Sequence, residues 1–155
     1  MKDEVNFVFR GTVLPVVRSP LVQAVQNLFT TDITVPMLDT TELYGSKLVA
    51  AMDRQHPRDN FDVMKMINKF GWQSSFVDCF VAYLAGHNRP VHEVLFPSKL
   101  PLEPSFTNEF AGMPSEPIAL TTLERTQEQL IAELPRRLTA SHREFLLSLV
   151  RAEPA

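Results

Sequence analysis

Apolar and polar residues alternate near the start of the chain in the pattern of a short β-sheet. From Val5 to Arg10 the alternation is typical of a half-buried strand, and Gly11 would end it. Residues 12–14 and 33–35 are the runs able to pair with this strand. Because so few short strands leave edges without partners, we expect the sheet to be incomplete within this sequence.

A short apolar run after the sheet favours a helix, with a strand as the alternative. The Ser19-Pro20 pair would begin the helix, since proline suits the first helical position. Leu21, Val25 and Leu28 then recur at helical spacing. The β-branched valines of the same run leave a strand over residues 21–25 open.

Three amphipathic helices are predicted in the middle of the chain, each from its own boundary signals. Asp39 followed by Glu42 has the spacing of a capping box, which would open the first helix. Pro57 is well placed as the first residue of the second helix, and Gly71 would close it. Gly86 would end the third helix. Apolar residues recur at helical intervals in all three, and the second and third helices should pack together.

The last third of the chain predicts short pieces followed by a helix pair. Prolines cluster between residues 90 and 117, which limits the length of any element there. Thr121 with Glu124 and Ser141 with Glu144 have capping-box spacing, and Pro135 separates the two. A terminal pair of amphipathic helices follows.

These elements predict an α+β protein that is predominantly helical, with a small amino-terminal β-sheet followed by a helical bundle. Residues 1–37 would form the sheet, residues 38–113 a helical core, and residues 114–155 the carboxy-terminal helix pair. A chain of 155 residues suits a single domain, so the three parts should form one compact unit.

Charge and composition exclude several classes of protein. A net charge of −3 gives no broad basic field for sequence-independent binding to nucleic acid. Cys79 is the only cysteine, so no internal disulfide can form. The chain starts with charged residues and has no apolar run of membrane-spanning length. We therefore predict a cytoplasmic protein that does not bind membranes.

The densest polar cluster of the chain runs from residue 42 to residue 63. Lys47 would project beside the apolar stripe of its helix, and Arg54 lies two turns further along nearly the same side. A turn at residues 55–57 would bring Arg58, Asp59 and Asp62 close to them. A phosphate-handling site uses this mixture, because cations neutralise triphosphate charge while carboxylates hold magnesium or accept a hydroxyl proton.

A purely structural interpretation of the same residues is also open. Lys47 would extend past its apolar neighbours to reach solvent, and Arg58 and Asp62, four residues apart on one helix, would form an ordinary surface ion pair. Spacing alone favours this interpretation, since charged helix corners are common.

The order of residues from Leu43 to Asp62 resembles a known family. It reads Leu-Tyr-x-x-Lys-Leu-x-Ala-Ala-x-x-Arg-x-x-Pro-Arg-Asp-x-x-Asp. This order is similar to that of the AbiEii-type nucleotidyltransferases, the toxin halves of bacterial abortive-infection and toxin–antitoxin pairs. The resemblance extends over most of residues 2–113, including the segment His87-Asn88-Arg89-Pro90.

The resemblance implies roles for particular residues. Lys47 would bind a nucleotide phosphate, and Asp59 would be the catalytic acid, with Asp62 as the close second candidate. Arg54 and Arg58 would steady the triphosphate. A third acid on the amino-terminal strand would complete the ligands of Mg²⁺, which makes Glu4 the candidate metal ligand, although a solvated amino-terminal acid is an equal alternative.

One departure from the family pattern bears on activity. The family's earlier motifs, a glycine–glycine–threonine/serine turn and an aspartate–x–aspartate pair, have no counterpart in this sequence. Two metal ions need several convergent carboxylates, so we expect the chain by itself to be inactive. A full-length parent would transfer a nucleotide from a nucleoside triphosphate to an acceptor, which the resemblance suggests is RNA, and an antitoxin protein would be its partner.

Two other functional interpretations remain. The chain would be a non-catalytic module that binds a protein partner or forms a homo-oligomer through its carboxy-terminal helices, or an idle remnant of an enzyme. For the binding module the relevant feature is an apolar stripe in the first helix of the terminal pair, which either closes the core or docks a partner. Its members are Leu123, Leu130, Ile131 and Leu134.

Overall fold

The computed structural model describes residues 11–29 and 33–152, and within them the protein is an α+β fold dominated by helices, as the hydrophobic spacing predicts. A short hairpin comes first, and a bundle of helices follows. The strands are β1 (Val17–Pro20) and β2 (Thr34–Met37); the α-helices are α1 (Gln23–Phe29), α2 (Thr40–Asp53), α3 (Pro57–Phe70), α4 (Ser74–Ala85), α5 (Val91–Leu95), α6 (Glu103–Ser105), α7 (Leu120–Glu133) and α8 (Ala140–Ala152).

The two strands form an antiparallel hairpin in which Val17 lies opposite Met37 and Pro20 opposite Thr34. A strand at residues 33–35 is thus predicted nearly in place, but its observed partner is β1, which the sequence pattern did not predict, and residues 12–14 do not form a strand. Their backbone N–H groups at positions 13 and 14 donate to a side chain, that of Glu42, and not to a neighbouring strand. The strand predicted over residues 5–10 lies outside the described residues.

The helix predicted after the sheet exists, but it begins later than expected. The Ser19-Pro20 pair belongs to β1, so α1 starts only at Gln23. Since residues 23–25 are helical, the alternative of a strand over residues 21–25 is wrong. Pairing with β2 outweighs the preference of proline for a first helical turn here.

The start of α2 is only half as predicted. Asp39 is its N-cap, and its carboxylate accepts a hydrogen bond from the Thr41 N–H at 2.8 Å. Glu42 does not return to the cap, as a capping box requires, but points away from it to the amino-terminal segment and to α4. Tertiary hydrogen bonds have replaced the local one.

The boundaries of α3 and α4 follow their sequence signals. Pro57 is the first residue of α3, and His56 caps it through Nδ1, which accepts from the Arg58 N–H. Gly71 ends α3 with φ of 66°, a conformation that suits glycine because it has no Cβ. Gly86 ends α4 as predicted.

The core lies chiefly where α2 crosses α4. Gly45 makes this approach possible, because a Cβ added there would stand 2.4 Å from Cys79 Cβ and 2.8 Å from the Phe80 backbone nitrogen. Glycine here allows the two backbones to come together, at a cost in helix propensity. Fully buried side chains from α2, α3 and α4 fill the space around the crossing, among them Leu48, Met52, Val63, Met66, Phe80 and Leu84.

The proline-rich region consists of short pieces, as predicted, including a π-helical turn over Phe106–Phe110. The terminal helix pair is also present, but neither helix opens with the predicted capping box. Helix α7 begins at Leu120 with Ala119 as its N-cap, two residues too early for Thr121 to be its cap. At the start of α8 the His142 N–H donates to Thr139 Oγ1, so Ser141 already lies inside the helix.

Within the described ranges, none of the helices combines the length and the apolar composition needed to cross a lipid bilayer.

Candidate functional site

Two ion pairs connect the carboxy-terminal half of α2 to α3. Lys47 Nζ lies 2.7 Å from Asp62 Oδ2, and an Arg54 guanidinium nitrogen lies 2.8 Å from Asp59 Oδ1. The four residues come from positions that the sequence pattern singled out. The helices meet at an angle set by the corner at residues 54–56, so cations of one helix face acids of the other.

The two pairs differ in exposure, and the difference separates their roles. The side chains of Lys47 and Asp62 are 34% and 31% exposed, so solvent and solutes reach both charges. The Asp59 side chain is only 3% exposed, while that of Arg54 is 62% exposed. One oxygen of Asp59, Oδ2, is buried and has no hydrogen-bond partner among the described residues. Asp59 therefore holds the guanidinium of Arg54 and has little direct access to solutes.

The corner between α2 and α3 is held from the far end of the chain. Gln55 occupies the left-handed region with φ of 51°, an uncommon conformation for a residue with a Cβ. Its side chain is buried, donates to the Ser98 carbonyl and accepts from the Leu100 N–H. Gln127 of α7 donates to Gln55 Oε1 at 2.6 Å. These hydrogen bonds fix the corner, and with it the spacing of the two ion pairs.

Arg58 does not join the cluster formed by the other four residues. Its guanidinium lies 3.8 Å from the Met113 sulfur, and it is exposed. The surface pair between Arg58 and Asp62 is not formed, so that part of the structural interpretation is wrong. Asp62 has a partner on the facing helix instead. His56, beside Arg58, contacts Glu109 at 3.2 Å.

A cleft of about 520 Å³ opens beside the exposed ends of Lys47 and Arg54. One wall is the face of α2 that also carries Ser46 and Asp53. The opposite wall comes from the end of α4 and the residues after it. That wall consists of Tyr83, Gly86, His87 and Asn88, with Gly11 at the amino-terminal side. The cleft thus combines two cations, the carboxylate of Asp53, a phenol, an imidazole and an amide around one opening.

A second charged cluster lies at the rim of this cleft. Asp53 forms an ion pair with Arg89 through one oxygen, and its other oxygen lies 3.4 Å from His87 Nε2. His87 Nδ1 accepts a hydrogen bond from the Arg89 N–H, which leaves Nε2 as the ring nitrogen that faces Asp53. The sequence interpretation assigned no role to Asp53. Its spacing of three residues from Ala50 and seven from Ser46 places it on the cleft face and is the signal that would have found it.

Glu42 joins the amino-terminal segment to both walls of the cleft. Its carboxylate accepts from the N–H groups of Val13 and Leu14, each at 2.9 Å, and from the Tyr83 hydroxyl at 2.7 Å. Burial alone would raise the pKa of Glu42, but these three hydrogen bonds outweigh burial and bring the pKa below its ordinary value. Burial, together with the Glu42 carboxylate, raises the pKa of the Tyr83 hydroxyl. Glu42 is therefore ionised and Tyr83 neutral in the hydrogen bonds that join the amino-terminal segment to α2 and α4.

The residues that would hold a metal are only partly described. Glu4, the predicted third ligand, lies outside the described residues. Within residues 11–29 and 33–152 there is no group of three His, Cys, Asp or Glu side chains arranged to hold a metal ion. Asp59 and Asp62 each face a cation, so these residues alone do not fit a magnesium site.

Comparison with known proteins gives one match. The model of the family described as "Nucleotidyl transferase AbiEii toxin, Type IV TA system" matches residues 2–155. No curated protein and no solved structure matches the chain. The family match spans both ion pairs, the corner and the cleft.

Proposed function

Because the chain belongs to the AbiEii family of nucleotidyl transferase toxins, we propose that the cleft beside α2 binds the phosphates of a nucleoside triphosphate. Lys47 contacts the phosphates, and Arg54 steadies them from two turns further along the same helix. In an enzyme of this family that holds its full set of acids, an acceptor hydroxyl would attack the α-phosphorus while the bond to the bridging oxygen breaks and pyrophosphate leaves; we propose RNA as the acceptor. Arg58 is exposed beyond the corner, and we propose that its guanidinium exchanges the weak contact with the Met113 sulfur for the triphosphate or the acceptor backbone.

The observation that carries this proposal is the ion pair between Lys47, which lines the cleft, and Asp62 of the facing helix. The Lys47 side chain is about one-third exposed, and its ammonium, held 2.7 Å from a carboxylate, is already oriented, so little side-chain freedom is lost when phosphate binds. An incoming phosphate takes over part of the ammonium's hydrogen bonding. Asp62 is then released to accept the proton of an attacking hydroxyl, as a general base must.

Asp59 has a different part in this proposal. Its burial and its hydrogen bond to Arg54 make it the residue that positions Arg54, with Asp62 as the acid that meets the acceptor. The resemblance alone names Asp59 as the catalytic acid and Asp62 as the second candidate, and this proposal exchanges the two roles. Magnesium would require carboxylates beyond the described residues, such as Glu4, and no step above depends on it.

Binding of a fluorescent nucleoside triphosphate analogue, followed by fluorescence anisotropy with and without MgCl₂, tests the proposal. Lys47→Ala removes a charge-assisted hydrogen bond to phosphate, and we expect affinity to fall by about tenfold or more. The matched control is Lys65→Ala, which removes an exposed ammonium of α3 that lies over the Phe61 ring, away from the cleft. The control should bind as tightly as the wild type.

Circular dichroism melting of the same variants separates the proposal from a structural role for the pair. If Lys47→Ala lowers the melting temperature while nucleotide affinity stays unchanged, the pair only joins α2 to α3, and the phosphate site is refuted. If the wild type itself binds no triphosphate at millimolar concentration, the proposed function fails for this chain.

Turnover is tested separately, with an α-labelled triphosphate and an RNA acceptor. Since the glycine-rich turn and the aspartate pair have no counterpart in the sequence, we propose that the chain binds nucleotide without transferring it. Label incorporated into RNA would refute the inactivity and leave the binding proposal standing. The family belongs to toxin–antitoxin systems, so we propose an antitoxin as the physiological counterpart of this protein.

A further inference from the structure

An apolar groove lies between the end of α5, the turn after α7 and helix α8. Its volume is about 570 Å³, and it shares no lining residue with the cleft beside α2. Leu138 and Leu146, each 4% exposed, form part of its floor. Phe96, Leu147 and Val150 line it with more than half of their surface in solvent, at 67%, 53% and 52% exposure. A cluster of large apolar side chains this exposed is typical of a surface that binds another molecule.

This surface differs from the stripe that the sequence suggested for a partner. Leu123, Leu130 and Leu134 of that stripe are buried in the core, at 0%, 1% and 0% exposure, and Ile131 packs against the core. The groove is formed instead by the opposite member of the helix pair. Arg143, Leu147 and Val150 of α8 follow one another at spacings of four and three residues, which places them on one face of the helix.

The charge around the groove is of one sign. Its charged lining residues are Arg136 and Arg143, and the described lining residues include no aspartate or glutamate. Neither arginine forms a salt bridge with another described residue. Arg136 only helps to lower the pKa of Glu133, whose ion pair is with Arg137. In a chain with a net charge of −3, an apolar groove edged only by cations is complementary to an anionic amphipathic ligand.

We propose that this groove docks an amphipathic α-helix of another protein, one that carries apolar residues on its inner face and carboxylates at its edges. The partner's apolar side chains would cover Phe96, Leu147 and Val150, and its carboxylates would pair with Arg136 and Arg143. A second copy of this chain fits less well. A symmetric contact brings the same surface patch to both sides, so it would place arginines against arginines.

A display library of helical peptides, selected on the full chain, provides the probe. Its peptides hold leucine at helical spacing and carry random residues at the flanking positions. We expect selection to enrich aspartate and glutamate at the flanks and to give no enrichment against Leu147→Glu. Val22→Glu is the matched control, because Val22 is 70% exposed and lies outside the groove, and it should select the same peptides as the wild type.

A charge swap then tests the polarity with one enriched peptide made synthetically. Against the double variant Arg136→Glu and Arg143→Glu, we expect affinity to fall by about tenfold or more, and a peptide with lysine in place of its acids to bind better than the original. Enrichment without acidic preference, or affinity that the double variant leaves unchanged, overturns the proposal. A dimer in light scattering that Leu147→Glu dissociates also overturns it, because a second copy would then occupy the groove.

Discussion

Replacing Glu42 by glutamine changes one oxygen to an NH₂ group without changing the shape of the side chain, so it isolates the charge and the hydrogen bonding. In the native protein Oε1 accepts from Val13 and Tyr83, while Oε2 accepts from the Leu14 N–H at 2.9 Å. In the variant the amide oxygen keeps two of these donors. The NH₂ group then faces the Leu14 N–H, so that two hydrogen-bond donors oppose each other. Residue 42 is fully buried, and water cannot separate them.

The expected loss of stability follows from those contacts. One charge-assisted hydrogen bond disappears, which costs about 1.5–3 kcal/mol, and the other two become neutral and weaker. The neutral amide is less costly to bury than a carboxylate, and this offsets part of the loss. We expect the free energy of unfolding to fall by about 2 kcal/mol, which lowers the melting temperature of a chain this size by about 4–8 °C.

The pH dependence of stability gives a second test of the Glu42 carboxylate. Because the pKa of Glu42 in the folded protein lies below its ordinary value of 4.5, the group contributes stability above that pH and loses it as pH falls through the folded pKa. The stability difference between wild type and variant should therefore be largest near neutral pH and shrink under acid conditions. Urea unfolding followed by circular dichroism at a series of pH values measures it.

The matched control is Asp39→Asn, the same exchange of carboxylate for amide three residues earlier. Asp39 caps α2 through a single hydrogen bond from the Thr41 N–H, and asparagine caps helices as well as aspartate does. We expect it to change stability by less than about 0.5 kcal/mol. If Glu42→Gln lowers the free energy of unfolding no more than this control does, or if the loss does not depend on pH, the hydrogen bonds of the Glu42 carboxylate do not stabilise the protein as argued.

Three further substitutions test the packing around the site, each by urea unfolding. Gly45→Ala should destabilise by about 1–3 kcal/mol despite the better helix propensity of alanine, because its Cβ would meet Cys79; a gain in stability would show that the helices can separate at no cost. Gln127→Leu should cost about 1–3 kcal/mol by removing hydrogen bonds at the buried corner, and an unchanged midpoint would mean that the corner holds without them. Leu130→Ala should cost about 2–5 kcal/mol, while Leu147→Glu should stay within about 0.5 kcal/mol; equal losses would contradict the assignment of core and surface within the helix pair.

Local signals in the sequence predict much of the helical fold. The spacing of apolar residues predicts α2, α3 and α4, and Pro57, Gly71 and Gly86 mark their boundaries correctly. These signals work because they depend on the stereochemistry of a few neighbouring residues: proline fixes φ, and glycine tolerates the left-handed region. The order of residues from Leu43 to Asp62 likewise predicts the family, since it needs no knowledge of three-dimensional contacts.

Local signals fail where a distant group competes for the same side chain. Glu42 has capping-box spacing, yet two backbone N–H groups near residue 13 and the hydroxyl of Tyr83 take its carboxylate. Thr121 and Ser141 have the same spacing, but their helices begin before them. A capping hydrogen bond contributes about 1 kcal/mol, which tertiary contacts easily exceed.

The candidate site shows the same division between sequence and tertiary structure. The sequence alone determined which residues carry the charge, because Lys47, Arg54, Asp59 and Asp62 stand in one ordered motif. Only the folded chain decided the pairing, in which Asp62 meets Lys47 across the helix interface instead of Arg58 on its own helix. The reason is geometric: the angle between α2 and α3 is set by packing and by hydrogen bonds from Gln127, 72 residues beyond the corner it holds, and neighbouring residues cannot encode that angle.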